Sequence, residues 1–132
     1  MKSFVLSILG IALCVFLSGF DLPAEERELE IERAKLGRGI EEREIVDEDS
    51  IFTSNERVFL WMKITGGISD SIAVAWRIED YHYTYKLHIG ANPWRTWAYK
   101  TVWKAGDWTV TVTDSKGKIL KERTFKVEAK KE

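Results

Sequence analysis

Two histidines and a run of aromatics between Tyr81 and Trp103 are the residues of this 132-residue chain that most invite a chemical reading. His82 and His88 alternate onto one face of a strand but lie six residues apart. That is about 20 Å along a strand, too far to share one ion. No cysteine or cluster of carboxylates stands beside either, so both are read as surface histidines and no metal site is assigned. No serine sits in a Gly-x-Ser-x-Gly elbow. Glu79 and Asp80 are neighbours on a predicted turn, not carboxylates set across a scissile bond. There is no glycine-rich phosphate loop. The expectation is a chain without a catalytic residue or a cofactor; an uncharacterised hydrolase, with a triad assembled in space around His82 or His88, is the weakest alternative.

What remains is aromatic. The chain has six tryptophans, four tyrosines and six phenylalanines. Trp76 and Trp108 alternate with aliphatic residues and are read as core. Tyr81, Tyr83 and Tyr85 share a face with Leu87 and Ile89. They form either a core face whose hydroxyls reach the rim or a binding stripe. Trp94 and Trp97 are three apart, so on a regular strand they face opposite sides. One of them, or Trp103 beyond, is therefore expected at the surface. The candidate binding set is Tyr81, Tyr83, Tyr85, Trp94, Arg95, Trp97 and Trp103, an aromatic platform edged by Arg95, Lys86 and Lys100. Such a surface stacks on sugar rings or seats a partner protein. A platform for single-stranded nucleic acid looks similar, but the signs of export given below argue against it, and no nucleic acid is expected.

The elements that must position these residues read mostly as strands. In Val58-Phe59-Leu60-Trp61-Met62-Lys63-Ile64 both faces are largely apolar, which predicts a central strand covered on both sides. Gly66-Gly67 marks a turn. Ile72, Val74, Trp76 and Ile78 alternate with Ala73, Ala75 and Arg77. Tyr81 to Ile89 keeps a strict period of two. Gly90-Ala91-Asn92-Pro93 breaks the chain before an aromatic strand from Trp94 to Thr101, which Lys104-Ala105-Gly106-Asp107 turns. Trp108, Val110 and Val112 alternate with threonines, Asp114-Ser115-Lys116-Gly117 reads as a hairpin turn, and Ile119 to Val127 returns. Upstream, Ala34 to Ile40 alternates in part and suggests a first strand; a helix over Glu25 to Leu36 is the alternative. The sum is an all-β, immunoglobulin-like antiparallel sandwich of about seven strands.

The N-terminus reads as an address. After Lys2, residues 4–20 carry no charge until Asp21. This is the pattern of a secretory signal, at 17 residues short of the roughly 20 of a spanning helix. Residues 1–24 are expected to be a signal peptide cleaved after Ala24 or a retained anchor, with the rest exported to the periplasm or another extracytoplasmic space. Cys14, the single cysteine, lies in this run and follows Leu13, not the small residue of a lipoprotein signal. Residues 25–30 are read as a charged linker, 31–128 as the sandwich and 129–132 as a tail. The net charge of −1 gives no global pull toward nucleic acid or anionic lipid. From Glu25 to Asp49 there are 11 acids and 5 bases, a net of −6; from Ser50 onward there are 9 acids and 14 bases, a net of +5.

The block Pro93-Trp94-Arg95-Thr96-Trp97-Ala98-Tyr99-Lys100 is followed by Gly106-Asp107-Trp108-Thr109-Val110-Thr111-Val112-Thr113-Asp114, then by Gly117, Leu120 and Phe125. Together they resemble a bacterial family catalogued as domain-of-unknown-function family 2914. The order of parts is similar too: Arg33-Ala34, Arg43-Glu44, Trp76, then the two tryptophan blocks. The resemblance covers roughly residues 31 to 128. It departs at Val74, where members often carry histidine, and at Ala98 and Tyr99, where serines are common, so no polar role is carried to those positions. It implies an exported or membrane-attached domain and supplies neither a catalytic residue nor a substrate. The functional expectation is a non-catalytic extracytoplasmic domain that docks to another protein of the cell envelope. A glycan-binding module using the Tyr/Trp face is the alternative.

Overall fold

Alternation of apolar and polar residues puts one side of each strand in water and the other in a core, and two such sheets bury each other. The computed structural model describes residues 28–131, and there the chain folds into nine strands. They are β1 (Glu30–Glu41), β2 (Glu44–Glu48), β3 (Ile51–Thr53), β4 (Glu56–Thr65), β5 (Ser71–Ile78), β6 (Tyr81–His88), β7 (Trp94–Val102), β8 (Gly106–Asp114) and β9 (Ile119–Glu128). One sheet has the order β2-β1-β4-β7, the other β3-β9-β8-β5-β6. Setting β1, β4 and β7 against β5, β8 and β9 is the division of an immunoglobulin-like sandwich.

β4 is central, as its two apolar faces require: β1 flanks it on one side and β7 on the other. Its inward residues Val58, Leu60, Met62 and Ile64 are buried, and so is outward Trp61. The opposing layer supplies Ile72, Val74, Trp76 and Ile78 from β5, Trp108, Val110 and Val112 from β8, and Phe125 and Val127 from β9. Phe125 stacks on Trp108 and meets Trp76 and Phe52 edge-on. With no cysteine in the described residues, this aromatic cluster takes the central place that a bridge holds in antibody domains.

The sequence reading differs from the structure in four places. The first strand, expected over Ala34 to Ile40, starts earlier: β1 runs from Glu30, through most of the stretch where a helix is the alternative. Leu29, assigned to a linker, is buried against Gly67. There are nine strands, not about seven, because acidic β2 and three-residue β3 carry little apolar alternation. The sandwich is not purely antiparallel either: β3 pairs with β9 in parallel. The signal or anchor read at residues 1–24, and Cys14 within it, lie outside the described residues.

The two sides of the sandwich are unlike. On one, the chain crosses between sheets from β2 to β3, and Arg38 of β1 ties the crossing down. Its guanidinium donates to Asp49 Oδ2 at 3.1 Å, Glu56 Oε1 at 3.3 Å and the Ile51 carbonyl at 3.0 Å, while lying 4.9 Å from the Phe52 ring centroid. Next to it, Arg123 of β9 donates to the Ala34 carbonyl of β1 at 3.1 Å and joins the sheets directly. On the other side β6 and β7 are the outermost strands of their sheets, and among the described residues no hydrogen-bonded strand lies beyond either.

Candidate binding groove on the open side

The register of β6 on β5 fixes where its tyrosines point. Tyr81, Tyr83, Tyr85 and Leu87 stand opposite Ile78, Trp76, Val74 and Ile72, so they share the inward face. The four β5 residues are buried, yet Tyr83 is 43% exposed and Tyr85 50%. Inward-facing side chains stay wet because β6 is the last strand and the opposing sheet stops at β7. Neither reading of the tyrosines, core face or surface stripe, was complete: they continue the core face past the point where the core is covered.

β7 meets them from the other sheet. Trp94, Thr96, Ala98, Lys100 and Val102 lie opposite Ile64, Met62, Leu60, Val58 and Glu56, so this is its inward set. Arg95, Trp97, Tyr99 and Thr101 face outward, opposite Lys63, Trp61, Phe59 and Arg57. Between the strands runs a groove of about 450 Å³. Its β6 wall is Tyr83, Tyr85 and Leu87; its β7 wall is Trp97, Ala98, Tyr99, Lys100 and Thr101.

Lys100 is the one charged residue on the inward face of β7, in line with Trp94, Thr96, Ala98 and Val102. Its ammonium lies 4.6 Å from the Tyr83 ring centroid and 5.3 Å from that of Tyr81. Arg57 takes a similar position over Tyr99, at 4.5 Å. A cation over a ring face is attracted by its quadrupole. The two cations at the groove thus rest on rings, and neither is within salt-bridge distance of a carboxylate among the described residues. Other cations of the described residues do meet carboxylates: Lys35 meets Glu48, Lys63 meets Glu32, Arg77 meets Glu122 and Lys118 meets Glu28.

Of the seven predicted binding residues, Tyr83, Tyr85 and Trp97 line the groove. Tyr81 and Trp103 stand next to it: Tyr81 lies under Lys100, its ring is 5.4 Å from that of Trp103, and Trp103 is exposed. Trp94 and Arg95 belong elsewhere. Trp94 turns inward and packs on the core near Gly90. Arg95 faces outward and donates to Glu44 of β2 at 2.9 Å. Tyr99, Leu87, Ala98 and Thr101 were not in the predicted set, and Lys100 was placed only at its margin. A lysine breaking the inward alternation of β7 was the available signal. His82 and His88 stand exposed on the outward face of β6, and neither lines the groove.

The strands that build the groove also carry the recognisable sequence. Residues 69–127 match the model of DUF2914, described as a protein of unknown function. That stretch belongs to the DUF2914 family. It spans β5 to β8 and nearly all of β9, and it includes Trp76 and both tryptophan blocks. Arg33-Ala34 and Arg43-Glu44 lie outside it. No curated protein matches the chain. Among solved structures, the Pseudomonas fluorescens alkylpurine DNA glycosylase AlkC, bound to DNA containing an abasic site analog, matches with 13% identity and a TM-score of 0.56. The match covers 87% of this chain and 33% of that one, so this chain spans about a third of the glycosylase. At this identity the likeness is one of fold. The CARDB domain of a Pyrococcus furiosus protein in complex with di-metal ions matches with 15% identity over 84% of this chain and 100% of that one. Its TM-score of 0.37 is too low to argue from.

Proposed function

We propose that this chain is a non-catalytic extracytoplasmic binding domain that docks another protein of the cell envelope at the β6–β7 side. The observation that carries the reading is exposure: Tyr83, Tyr85 and Tyr99, at 43%, 50% and 52%, surround one groove. Large aromatic side chains held in water by a fixed scaffold are the residues that dominate interface energetics. The uncharged run over residues 4–20 supports the extracytoplasmic part of the proposal.

Photo-crosslinking in cells of the native source tests it. A photoreactive residue at Tyr85 or Tyr99 should give one discrete adduct. The same residue at Thr124, exposed on β9, serves as control. Equal labelling from all three positions, or none from the groove, sinks the proposal. The groove's rings also favour a second reading, a glycan stacked on Tyr83 and Tyr85. A soluble oligosaccharide that shifts the groove resonances while no protein adduct forms would decide for it.

A further inference from the structure

We propose, resting on the reading above, that the groove takes an extended acidic peptide segment, which adds as a strand to the free edge of β7 and sets a carboxylate against Lys100. The first support is the lining itself. Along a strand, successive side chains point to opposite faces, so a groove over one face meets every second residue. The β6 wall does this, with Tyr83, Tyr85 and Leu87. The β7 wall instead is five consecutive residues, 97 to 101. Only a channel running along the edge of a strand touches both of its faces. The groove therefore follows the unpaired backbone of β7, and its natural occupant is another strand that takes up those N–H and C=O groups. Alternate residues of that strand would face Tyr83, Tyr85 and Leu87; the others would lie beside Trp97 and Tyr99.

The second support is charge. From Tyr81 to Ala105 there is no aspartate or glutamate, while Lys86, Arg95, Lys100 and Lys104 are present. In a chain with 21 acids this is a long acid-free stretch, and it contains both groove strands. Arg95 and Lys104 are already paired, with Glu44 and Glu79. Lys100, half-buried in the groove and held only by tyrosine rings, keeps its ion-pairing capacity. An incoming carboxylate reaches it without breaking a salt bridge. A basic or uncharged strand would instead leave a lysine desolvated without a counter-charge.

The test is selection from a phage-displayed library of random dodecapeptides, panned against the full chain and against its Lys100→Glu and Tyr85→Ala variants, with circular dichroism confirming that both fold. The expected consensus alternates apolar residues and contains one Asp or Glu. Synthetic consensus peptide should bind Lys100→Glu at least about tenfold more weakly, the usual scale of a lost charge-assisted hydrogen bond. Panning on Lys100→Glu should exchange the selected acid for Lys or Arg. Peptides that need Tyr85 but show no acid preference would overturn the acidic occupant and leave the groove reading standing. Peptides indifferent to both variants would overturn both readings. Failure to select any groove peptide overturns the inference. So does sedimentation showing concentration-dependent self-association abolished by Lys100→Glu, which would make the occupant a second copy of the chain.

Discussion

At the scale of single residues, burial separates the aromatics into those that hold the fold and those free to bind. Trp76 is fully buried, at the meeting of β5 with the Phe125 cluster. Truncating a buried tryptophan removes its transfer free energy and leaves a cavity, so Trp76→Ala should cost about 3–5 kcal/mol in urea unfolding. Trp103, 48% exposed, should cost about 1 kcal/mol or less when changed to alanine. The β1–β2 hairpin holds a different kind of residue. Its two-residue loop, Glu42-Arg43, has φ of 51° and 64°, a conformation that side chains with a Cβ resist. The reason for keeping it lies across the sheet: the Arg43 carbonyl accepts a 2.8 Å hydrogen bond from Trp61 Nε1. Replacing the pair with Asn-Gly keeps that carbonyl and relieves the backbone. The double variant should gain about 1–2 kcal/mol in the same urea assay.

At the scale of elements, legibility tracked apolar alternation. β4, β5 and β8 were readable because their periodic apolar faces are also their buried faces. β2 was not, because Glu44, Asp47 and Glu48 lie on an exposed edge where no core imposes a pattern. The inward face of β6 was readable too, but its exposure was not. Whether Tyr83 is covered depends on where the opposite sheet ends, and nothing within β6 encodes that. The same limit hid Tyr99 and kept Lys100 at the margin of the expected platform, since a cleft between strands of two sheets exists only once both are placed.

The β2–β3 crossing can be tested with acid. Asp49 accepts the Ser50 amide at 2.8 Å, the Arg38 guanidinium at 3.1 Å and the Ile51 amide at 3.2 Å. These bonds, the Ser50 amide foremost, hold its pKa below the ordinary aspartate value. A carboxyl group that binds a proton less readily folded than unfolded stabilises the fold fully above the unfolded pKa. That contribution is lost as pH falls through the lowered folded value. At pH 7 Asp49→Asn should unfold at lower urea than wild type. The gap between the two midpoints should close as pH falls below about 4.

For the whole molecule, the topology decides what can stand alone. The family match begins at Ser69, after β4. A fragment of residues 69–127 therefore contains β7 but lacks β1, β2 and β4, the rest of its sheet. The inward residues of β5 and β8 would lose the layer that covers them. Such a fragment should show no cooperative unfolding and a collapsed amide NMR spectrum. Residues 28–131 should show a single transition that a reducing agent leaves unchanged, since they contain no cysteine. A cooperatively folded 69–127 would mean that the four-stranded sheet is dispensable, contrary to the burial of Val58, Leu60, Met62 and Ile64.

The rings beside the groove have an optical consequence. Trp103 lies 6.4 Å from Trp108, Tyr81 lies edge-on to both, and Trp108 stacks on Phe125 at 6.2 Å. Indoles this close couple their electronic transitions, so the near-ultraviolet dichroism of the domain should carry a strong signal from this one corner. Lys100 rests on Tyr81, within reach of that corner. Any molecule that draws the ammonium away changes the field around the coupled rings. The protein is thereby its own spectroscopic reporter, and occupancy of the groove can be followed without a label.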